Sequence, residues 1–149
     1  MRSFEQRAGS LSGAPHQCTH ACAGEGKYAV SLLVFDTGAG FVASLTGGEA
    51  PHVGGVILAT PRPSISGSGE PSCDIYSIPV TSHLDNEVGR DVATMLCRAT
   101  GQVVSLTSGI HIDNATPQDL TTIAQNVHSA AKTFLDRHQG TSQSPSPRA

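Results

Sequence analysis

Residues 103–119 read VVSLTSGIHIDNATPQD, an apolar run followed by a polar turn and the beginning of a helix. The run at 103–106 has the aliphatic and β-branched composition of a buried strand. Thr116 is a good N-cap, Pro117 suits the first helical position, and Asp119 places an acid in the first turn. We therefore expect a strand that leads into a helix, and the other elements can be placed around this unit.

Four further strands are predicted before this unit, with no helix between them. Turn residues separate apolar runs at 28–35, 41–45, 53–59 and 75–80. The first two runs should form a hairpin, and the short connection between the third and fourth allows them to be antiparallel neighbours.

Two helices complete the prediction. In the first, apolar residues share one stripe from Leu84 to Leu96, with Ser82 as N-cap and Gly101 as the end. The second begins at Thr116 and should turn five residues inward: Leu120, Ile123, Val127, Ala131 and Phe134. The order ββββαβα indicates an α+β domain, with a mostly antiparallel sheet and both helices on one face.

The length of 149 residues allows one domain. The apolar residues of 1–26 follow neither a helical nor a strand period, and residues 139–149 are rich in Ser and Pro. We therefore expect a disordered extension at 1–26, a folded domain at 27–138 and a disordered tail at 139–149.

A net charge of −3 and 14% charged residues offer no basic stripe for nucleic acid. No signal-peptide core or membrane span is evident, which predicts a cytoplasmic protein whose four cysteines are thiols.

Several polar residues should meet at one edge of the sheet. If the third and fourth strands are antiparallel, His52 and His83 lie at the same edge. The strand at 103–106 should run parallel to the fourth and bring His111, Asp113 and Asn114 there. The turn at Gly47-Gly48 lies beside them. The topology thus predicts a convergence of three imidazoles with a carboxylate and a carboxamide.

This edge has the chemistry for a metal and a phosphate. Both predicted helices begin there, at Ser82 and Thr116, and a helix N-terminus offers unpaired N–H groups to an anion. Histidine with Asp or Asn is a ligand mixture that borderline divalent metals accept.

Each of these signals also has an ordinary structural explanation. A histidine at a strand end is often a capping or solvent-facing residue. Asp113-Asn114 could form an Asx turn that leads into the helix. Gly47 and Gly48 could have only the structural role of forming the turn. The hypothesis of a binding site therefore depends on the convergence of several polar residues at one edge.

Other chemical motifs are weak. His16, Cys18, His20 and Cys22 alternate metal-ligand types but lack a second ligand pair at zinc-finger spacing. Cys73 and Cys97 fit buried positions. No GxSxG, GxGxxG or P-loop pattern accompanies a nucleophile, so covalent catalysis has little support.

Three segments resemble the LpdD-like family of prenylated-flavin chaperones. They are 51–55 (PHVGG), 59–64 (ATPRPS) and, most specific, 109–117 (GIHIDNATP). The resemblance extends over about 28–135. At His83 the preceding Thr81-Ser82 differs from the Pro-Gly type of turn that the family pattern suggests.

The resemblance implies a metal-dependent binding protein for reduced prenylated FMN, which supports cofactor delivery to, or maturation of, a UbiD-type decarboxylase. It implies His52, His83 and His111 as metal ligands. Residues implied at the cofactor are Gly47, Gly48, Arg62, Asn114 and Thr116. Arg62 lies at the opposite end of its strand, which suggests a dimer contact or a ligand shared across a homodimer interface. The resemblance also suggests a flavin prenyltransferase as a further partner.

Two other classes of function remain open. One is a small hydrolase, in which the same histidines hold a metal-bound water and Asp113 or Glu49 acts as base. The other is a non-catalytic subunit that only stabilises a decarboxylase complex.

Overall fold

Two α-helices lie against one face of a six-stranded sheet in the computed structural model, which describes residues 17–65, 67, 69–80 and 86–142. This is the α+β class expected from the sequence. The elements are β1 (Cys18–Ala23), β2 (Val30–Asp36), β3 (Phe41–Gly48), β4 (Gly55–Pro63), β5 (Pro71–Pro79), α1 (Asn86–Thr100), β6 (Val104–His111) and α2 (Pro117–Ser142), with a 3-10 turn at Gly26–Tyr28.

The strand order across the sheet is β1-β2-β3-β6-β4-β5. Strand β6 lies between β3 and β4, parallel to the first and antiparallel to the second, and the other neighbours are antiparallel. The predicted antiparallel pairing of β4 with β5 is confirmed. Strand β6 has the same direction as β5, also as predicted, although β4 separates them.

Side chains along each strand point alternately to the two faces of the sheet, so one set lies beneath the helices. Leu32, Leu45, Ile57 and Leu106 are fully buried in this layer. The two helices add Val92, Leu96, Ile123 and Phe134. Packing of these stripes against one sheet face is the main source of stability, since it removes these large apolar side chains from water.

Leu120 is an exception to the predicted helical stripe. Its side chain is 60% exposed, whereas Ile123, Val127, Ala131 and Phe134 are buried. The prediction was wrong at this position because Leu120 lies in the first turn of α2, before the helix reaches the sheet core.

Strand β1 was not predicted from the sequence. It lies within residues 1–26, which were expected to be disordered, and it pairs with β2 along its whole length. Its sequence, CTHACA, has few large apolar residues, and only Ala21 is buried. Residues 1–16 lie outside the described residues, as do 143–149. Helix α2 extends to Ser142, four residues past the predicted boundary.

The ends of the helices follow the predicted chemistry where they are described. Gly101 has φ +67° and its N–H donates to the carbonyl of Cys97 at 2.8 Å, which ends α1. Ser82 and Leu84 lie outside the described residues. No helix in the described ranges is long and apolar enough to span a membrane.

All four cysteines are free thiols. Cys97 is buried, and burial raises the pKa of its thiol to about 11, with Cys73 as a secondary cause. This agrees with the predicted role of Cys97 as a small apolar residue of the core.

Replacing Leu106 by Ala should destabilise the fold by about 2–5 kcal/mol, because it leaves a cavity under both helices. Leu120→Ala removes the same atoms from an exposed site and should change stability by less than about 0.5 kcal/mol. Urea unfolding of both variants measures the difference. Equal losses would contradict the assignment of Leu106 to the core and of Leu120 to the surface.

Candidate functional site

Three strand ends meet at one edge of the sheet. Strand β3 ends at Gly48, which is in register with His111 at the end of β6. The residue before β4, Gly54, donates its N–H to the carbonyl of Ser108 at 2.7 Å. The rings of His52 and His111 have centroids 6.3 Å apart with an interplanar angle of 74°. The structure therefore brings His52 and His111 together beside the predicted Gly47-Gly48 turn.

Glu49 holds the segment that follows β6. Its N–H donates to the carbonyl of His111 at 2.6 Å, and its Oε2 accepts the N–H of Asp113 at 2.9 Å. The sequence suggested Glu49 only as a base in the hydrolase alternative. Its two contacts instead fix the position of the polar turn at the edge.

Both histidines are oriented by a second group. The Nδ1–H of His52 donates to the carbonyl of Ala50 at 3.0 Å, and the Nε2–H of His111 donates to Asp113 Oδ1 at 2.9 Å. Metal-binding histidines usually donate one ring N–H to a carbonyl or a carboxylate, which fixes the tautomer and the ring orientation. The pair therefore has the supporting contacts of ligand histidines.

The turn between β6 and α2 contains a backbone conformation that side chains rarely adopt. Asn114 has φ +49°, in the left-handed region, and no other non-glycine residue in the described ranges has a positive φ. Asparagine tolerates this region better than most residues. The predicted Asp113-Asn114 turn is therefore present, and it connects the end of β6 to the start of α2.

Thr116 caps α2, as the sequence predicted. Its Oγ1 accepts the N–H of Asp119 at 3.2 Å, and its N–H and Oγ1 both donate to Asp119 Oδ2, at 2.8 and 2.7 Å. These reciprocal bonds form a capping box with Asp in the usual place of Glu. The side chain of Thr116 is thus committed to the helix start.

Asp119 is also the centre of a buried polar network that the sequence did not reveal. Its Oδ1 accepts the hydroxyl of Tyr28 at 2.6 Å and lies 3.0 Å from Lys27 Nζ. Tyr28 and then Thr116 hold the pKa of the Asp119 carboxyl well below its usual range. The network connects the 3-10 turn before β2 to the start of α2. Only the capping box between Thr116 and Asp119 could be predicted from the local sequence.

Two glycines allow the backbone segments of the edge to approach closely. A Cβ on Gly48 would overlap the carbonyl oxygen of His111, and one on Gly109 would overlap that of His52. Gly48 also has φ +76°. The positions of both histidines therefore depend on glycine at these sites.

A hollow of about 260 Å³ lies beside the edge. Its lining includes Gly47, Gly48, Pro51 and Thr46. It is smaller than the roughly 300–1,000 Å³ of typical ligand pockets. Neither His52 nor His111 is among its lining residues.

A family model described as a prenylated flavin chaperone LpdD-like domain matches residues 24–139. The chain belongs to this family. The matched range contains strands β2 to β6, both helices up to Gln139, and every residue of the edge, whereas β1 lies outside it. Membership supports a role as a prenylated flavin chaperone.

A chain in the crystal structure of a chaperone complex for yeast 20S proteasome assembly shares the fold, with a TM-score of 0.52 and 12% sequence identity. The match covers 84% of this chain and 96% of that one. No curated protein matches the sequence. At this identity, the similarity extends to the fold alone.

The LpdD-like domain does not bring every predicted residue to the edge. Arg62 is near the end of β4, far from His52, and its Nε lies 2.6 Å from Asp74 Oδ1. His83 lies outside the described residues. In the described ranges, no three His, Cys, Asp or Glu side chains are placed so that they could hold a metal ion together. In the described ranges the edge offers the imidazoles of His52 and His111, a donor type that borderline divalent metals accept.

The alternating residues of β1 form a separate polar cluster. The Nε2 of His20 lies 2.7 Å from Ser31 Oγ and 3.1 Å from Cys22 Sγ. His16 lies outside the described residues. Since no three ligand side chains converge in the described part of this strand, the zinc hypothesis gains no support there.

A larger groove lies on the helical side of the LpdD-like domain. It has a volume of about 650 Å³ and runs between α1 and α2, with Val92, Met95 and Val127 in its lining. The sequence predicted several site residues that lie within the described ranges, and none of them lines this groove. The strand edge is the candidate site, because the oriented histidines and the left-handed Asn114 occur together there.

Gly109→Ala should displace the loop that carries His52 and destabilise the protein, because the added Cβ meets the His52 carbonyl. Gly140→Ala is the matched control, since a Cβ there has no neighbour within 4 Å and favours the helix. Thermal unfolding and the NMR shifts of the His52 ring measure both effects. An unchanged His52 signal in Gly109→Ala would contradict the close approach.

The stability of the protein should fall as the pH is lowered, through Asp119. Since the pKa of this carboxyl is depressed in the folded state, its contribution is present above the unfolded pKa and is lost as pH falls through the folded value. The stability difference between the native protein and Asp119→Asn should therefore be largest near neutral pH and shrink in acid. Urea unfolding at about pH 7 and pH 3 tests this. A difference independent of pH would contradict it.

Proposed function

We propose that this chain binds reduced prenylated FMN at the edge formed by the ends of β3 and β6 and passes it to a UbiD-type decarboxylase. Family membership supports the chaperone role. The observation that carries the location is the pair His52 and His111, each oriented by a hydrogen bond beside a glycine-lined hollow. A flavin prenyltransferase, as the source of the cofactor, is the second proposed partner.

The phosphate of the cofactor is proposed to lie at the turn before α2. A helix N-terminus favours an anion, and the left-handed Asn114 shapes the backbone there. Because the Thr116 hydroxyl caps the helix, any contact from Thr116 itself would have to replace a bond to Asp119. Gly47 and Gly48 let the ligand approach the backbone of β3 closely.

A divalent metal is proposed between the histidines and the cargo. His52 and His111 would hold it, with His83 as the third protein ligand. When bound, the metal supplies positive charge that neutralises an anionic group of the cargo. The protein fixes the imidazoles in advance through Ala50 and Asp113, so less ordering is needed when the metal arrives.

Arg62 is proposed to act from a second copy of the chain. It lies at the opposite end of β4 from His52 and is paired with Asp74. It can therefore approach a site of this kind only across an interface between subunits.

The contacts of the two carboxylates favour binding over hydrolysis. Glu49 accepts the N–H of Asp113, and Asp113 accepts the ring N–H of His111. A hydrolase would need one of them to activate water. Here both stabilise the turn, which is consistent with a non-catalytic accessory protein.

The proposal is tested by calorimetry under anaerobic conditions with reduced prenylated FMN and a divalent metal. The native protein should bind tightly only when metal is present, and His111→Ala should weaken binding by about 10–100-fold, as expected for loss of a metal ligand or its orientation. His128→Ala, which changes a histidine on the helical side, should bind like the native protein.

Three results would decide against this account. Absence of binding with any divalent metal would reject the chaperone function. Equal losses in His111→Ala and His128→Ala would reject the site. Full support of a partner decarboxylase by His111→Ala would favour a purely structural subunit.

A further inference from the structure

We call the groove between α1 and α2 the helical groove, and it has the size of a ligand site. Its volume of about 650 Å³ lies within the roughly 300–1,000 Å³ of typical binding pockets. Val92 and Val127, both buried, line it together with the half-buried side chain of Met95. The groove is therefore an apolar hollow that can receive an apolar side chain from a further segment.

Two opposite charges flank Met95 along the groove. Asp91 lies four residues before it on α1 and Arg98 three residues after it. Because a helix rises about 1.5 Å per residue, the Cα atoms of the two charged residues lie about 10 Å apart along the axis. Arg98 uses its Nε–H on the carbonyl of Pro71 at 2.9 Å, and a guanidinium has further N–H groups to donate. Asp91 forms no ion pair with another residue of the described ranges.

Residues 2–5 of the chain read RSFE and carry the complementary groups in the matching order. Arg2 is a cation, Phe4 is apolar and Glu5 is a carboxylate. In a polyproline II conformation the chain repeats every three residues and rises about 3.1 Å per residue, so Arg2 and Glu5 would point to the same side about 9 Å apart. This spacing matches that of the two charges on α1. Phe4 is the only aromatic residue in 1–16.

The described chain begins at the correct end of the sheet for this segment to reach the groove. Cys18 lies at the end where β3 and β6 begin, and α1 ends just before β6, so Arg98 lies at this end too. Helix α2 packs on β1 and β2 and α1 on β4 to β6, so up to three strand spacings and one helix layer separate Cys18 from the groove, roughly 20 Å. The chain from Glu5 to Cys18 spans up to about 43 Å when extended. Glu5 can therefore reach Arg98, and Arg2 then lies further along α1, toward Asp91.

We propose that residues 2–5 dock into the helical groove of the same molecule, with Phe4 against Met95. The cation of the segment pairs with the acid of the groove, and its carboxylate pairs with the guanidinium. An aromatic ring against a thioether is a favourable contact, whereas the exposed ion pairs contribute direction more than affinity. Because about a dozen residues tether the segment, its effective concentration is on the order of millimolar, and weak contacts are enough to hold it. The segment precedes the range 24–139 that the family model matches.

The proposal is tested by NMR of the full chain labelled at its methionine methyl groups. The chain has two methionines, Met1 and Met95, and Met95→Leu assigns the signals. In the native protein the Met95 methyl should carry a ring-current shift and a nuclear Overhauser effect to the Phe4 ring. Phe4→Leu should abolish both. Phe35→Leu is the matched control, since it removes the same ring from an exposed position on the opposite face of the sheet, and it should leave the Met95 signal unchanged.

An exchange of charges tests the direction of the segment. Arg2→Glu should cause loss of the Phe4-dependent shift of Met95, because it places a carboxylate beside Asp91. Adding Asp91→Arg to the same chain should restore the shift. Arg7→Glu makes the same charge change outside the docked residues and should have no effect. Asp91 is exposed, so its replacement leaves the core intact.

A Met95 signal that is identical in the native protein and in Phe4→Leu would overturn the proposal. So would a loss in Arg2→Glu that Asp91→Arg fails to reverse. A Phe4-dependent shift that disappears on dilution would assign the segment to the groove of a second copy and reject docking within one molecule. None of these signals requires the cofactor or a metal, so the outcome is independent of the proposed function.

Discussion

Strand β6 runs between β3 and β4, and this placement determines the position of almost everything else. Its parallel pairing with β3 puts the ends of both strands at one edge, so His111 meets Gly48. Its antiparallel pairing with β4 brings the segment before β4, with His52, to the same edge. The close approach at Gly48 and Gly109 is possible only because neither has a Cβ. The turn that follows β6 then carries Asp113 and Asn114 into the capping box of α2.

Much of this edge could be predicted from the sequence because it follows from chain order and connection length. Short connections predict antiparallel neighbours, and a crossover helix fixes the direction of the strand after it. These two rules place His52 and His111 at one edge, but they do not predict that β6 inserts between β3 and β4. Residues 109–117 contain enough specific positions to suggest the family from the amino-acid sequence alone.

Other features depend on tertiary contacts that local sequence does not encode. Strand β1 has little apolar signal and is stabilised by pairing with β2 and by the single buried side chain of Ala21. The Asp119 network joins residues 91 positions apart in the chain. Leu120 fits the helical period, yet it lies in a turn that the sheet does not cover. Leu33 and Phe35 look like core residues in an apolar run, but the pleat turns them to the sheet face opposite the helices.

The two surfaces have different physical characters. The edge combines oriented imidazoles, carboxylates and a helix start, which suits a charged ligand. The sheet face opposite the helices carries exposed apolar side chains, among them Leu33, Phe35 and Tyr76.

We propose that the cargo and its metal are held at the edge beside His52 and His111. A crystal structure grown anaerobically with reduced prenylated FMN and Mn²⁺ tests this, with the metal located by its anomalous signal. We expect an anomalous peak within coordination distance of both imidazoles and flavin density over Gly47 and Gly48. A metal peak elsewhere, or flavin density in the groove between α1 and α2, would contradict it.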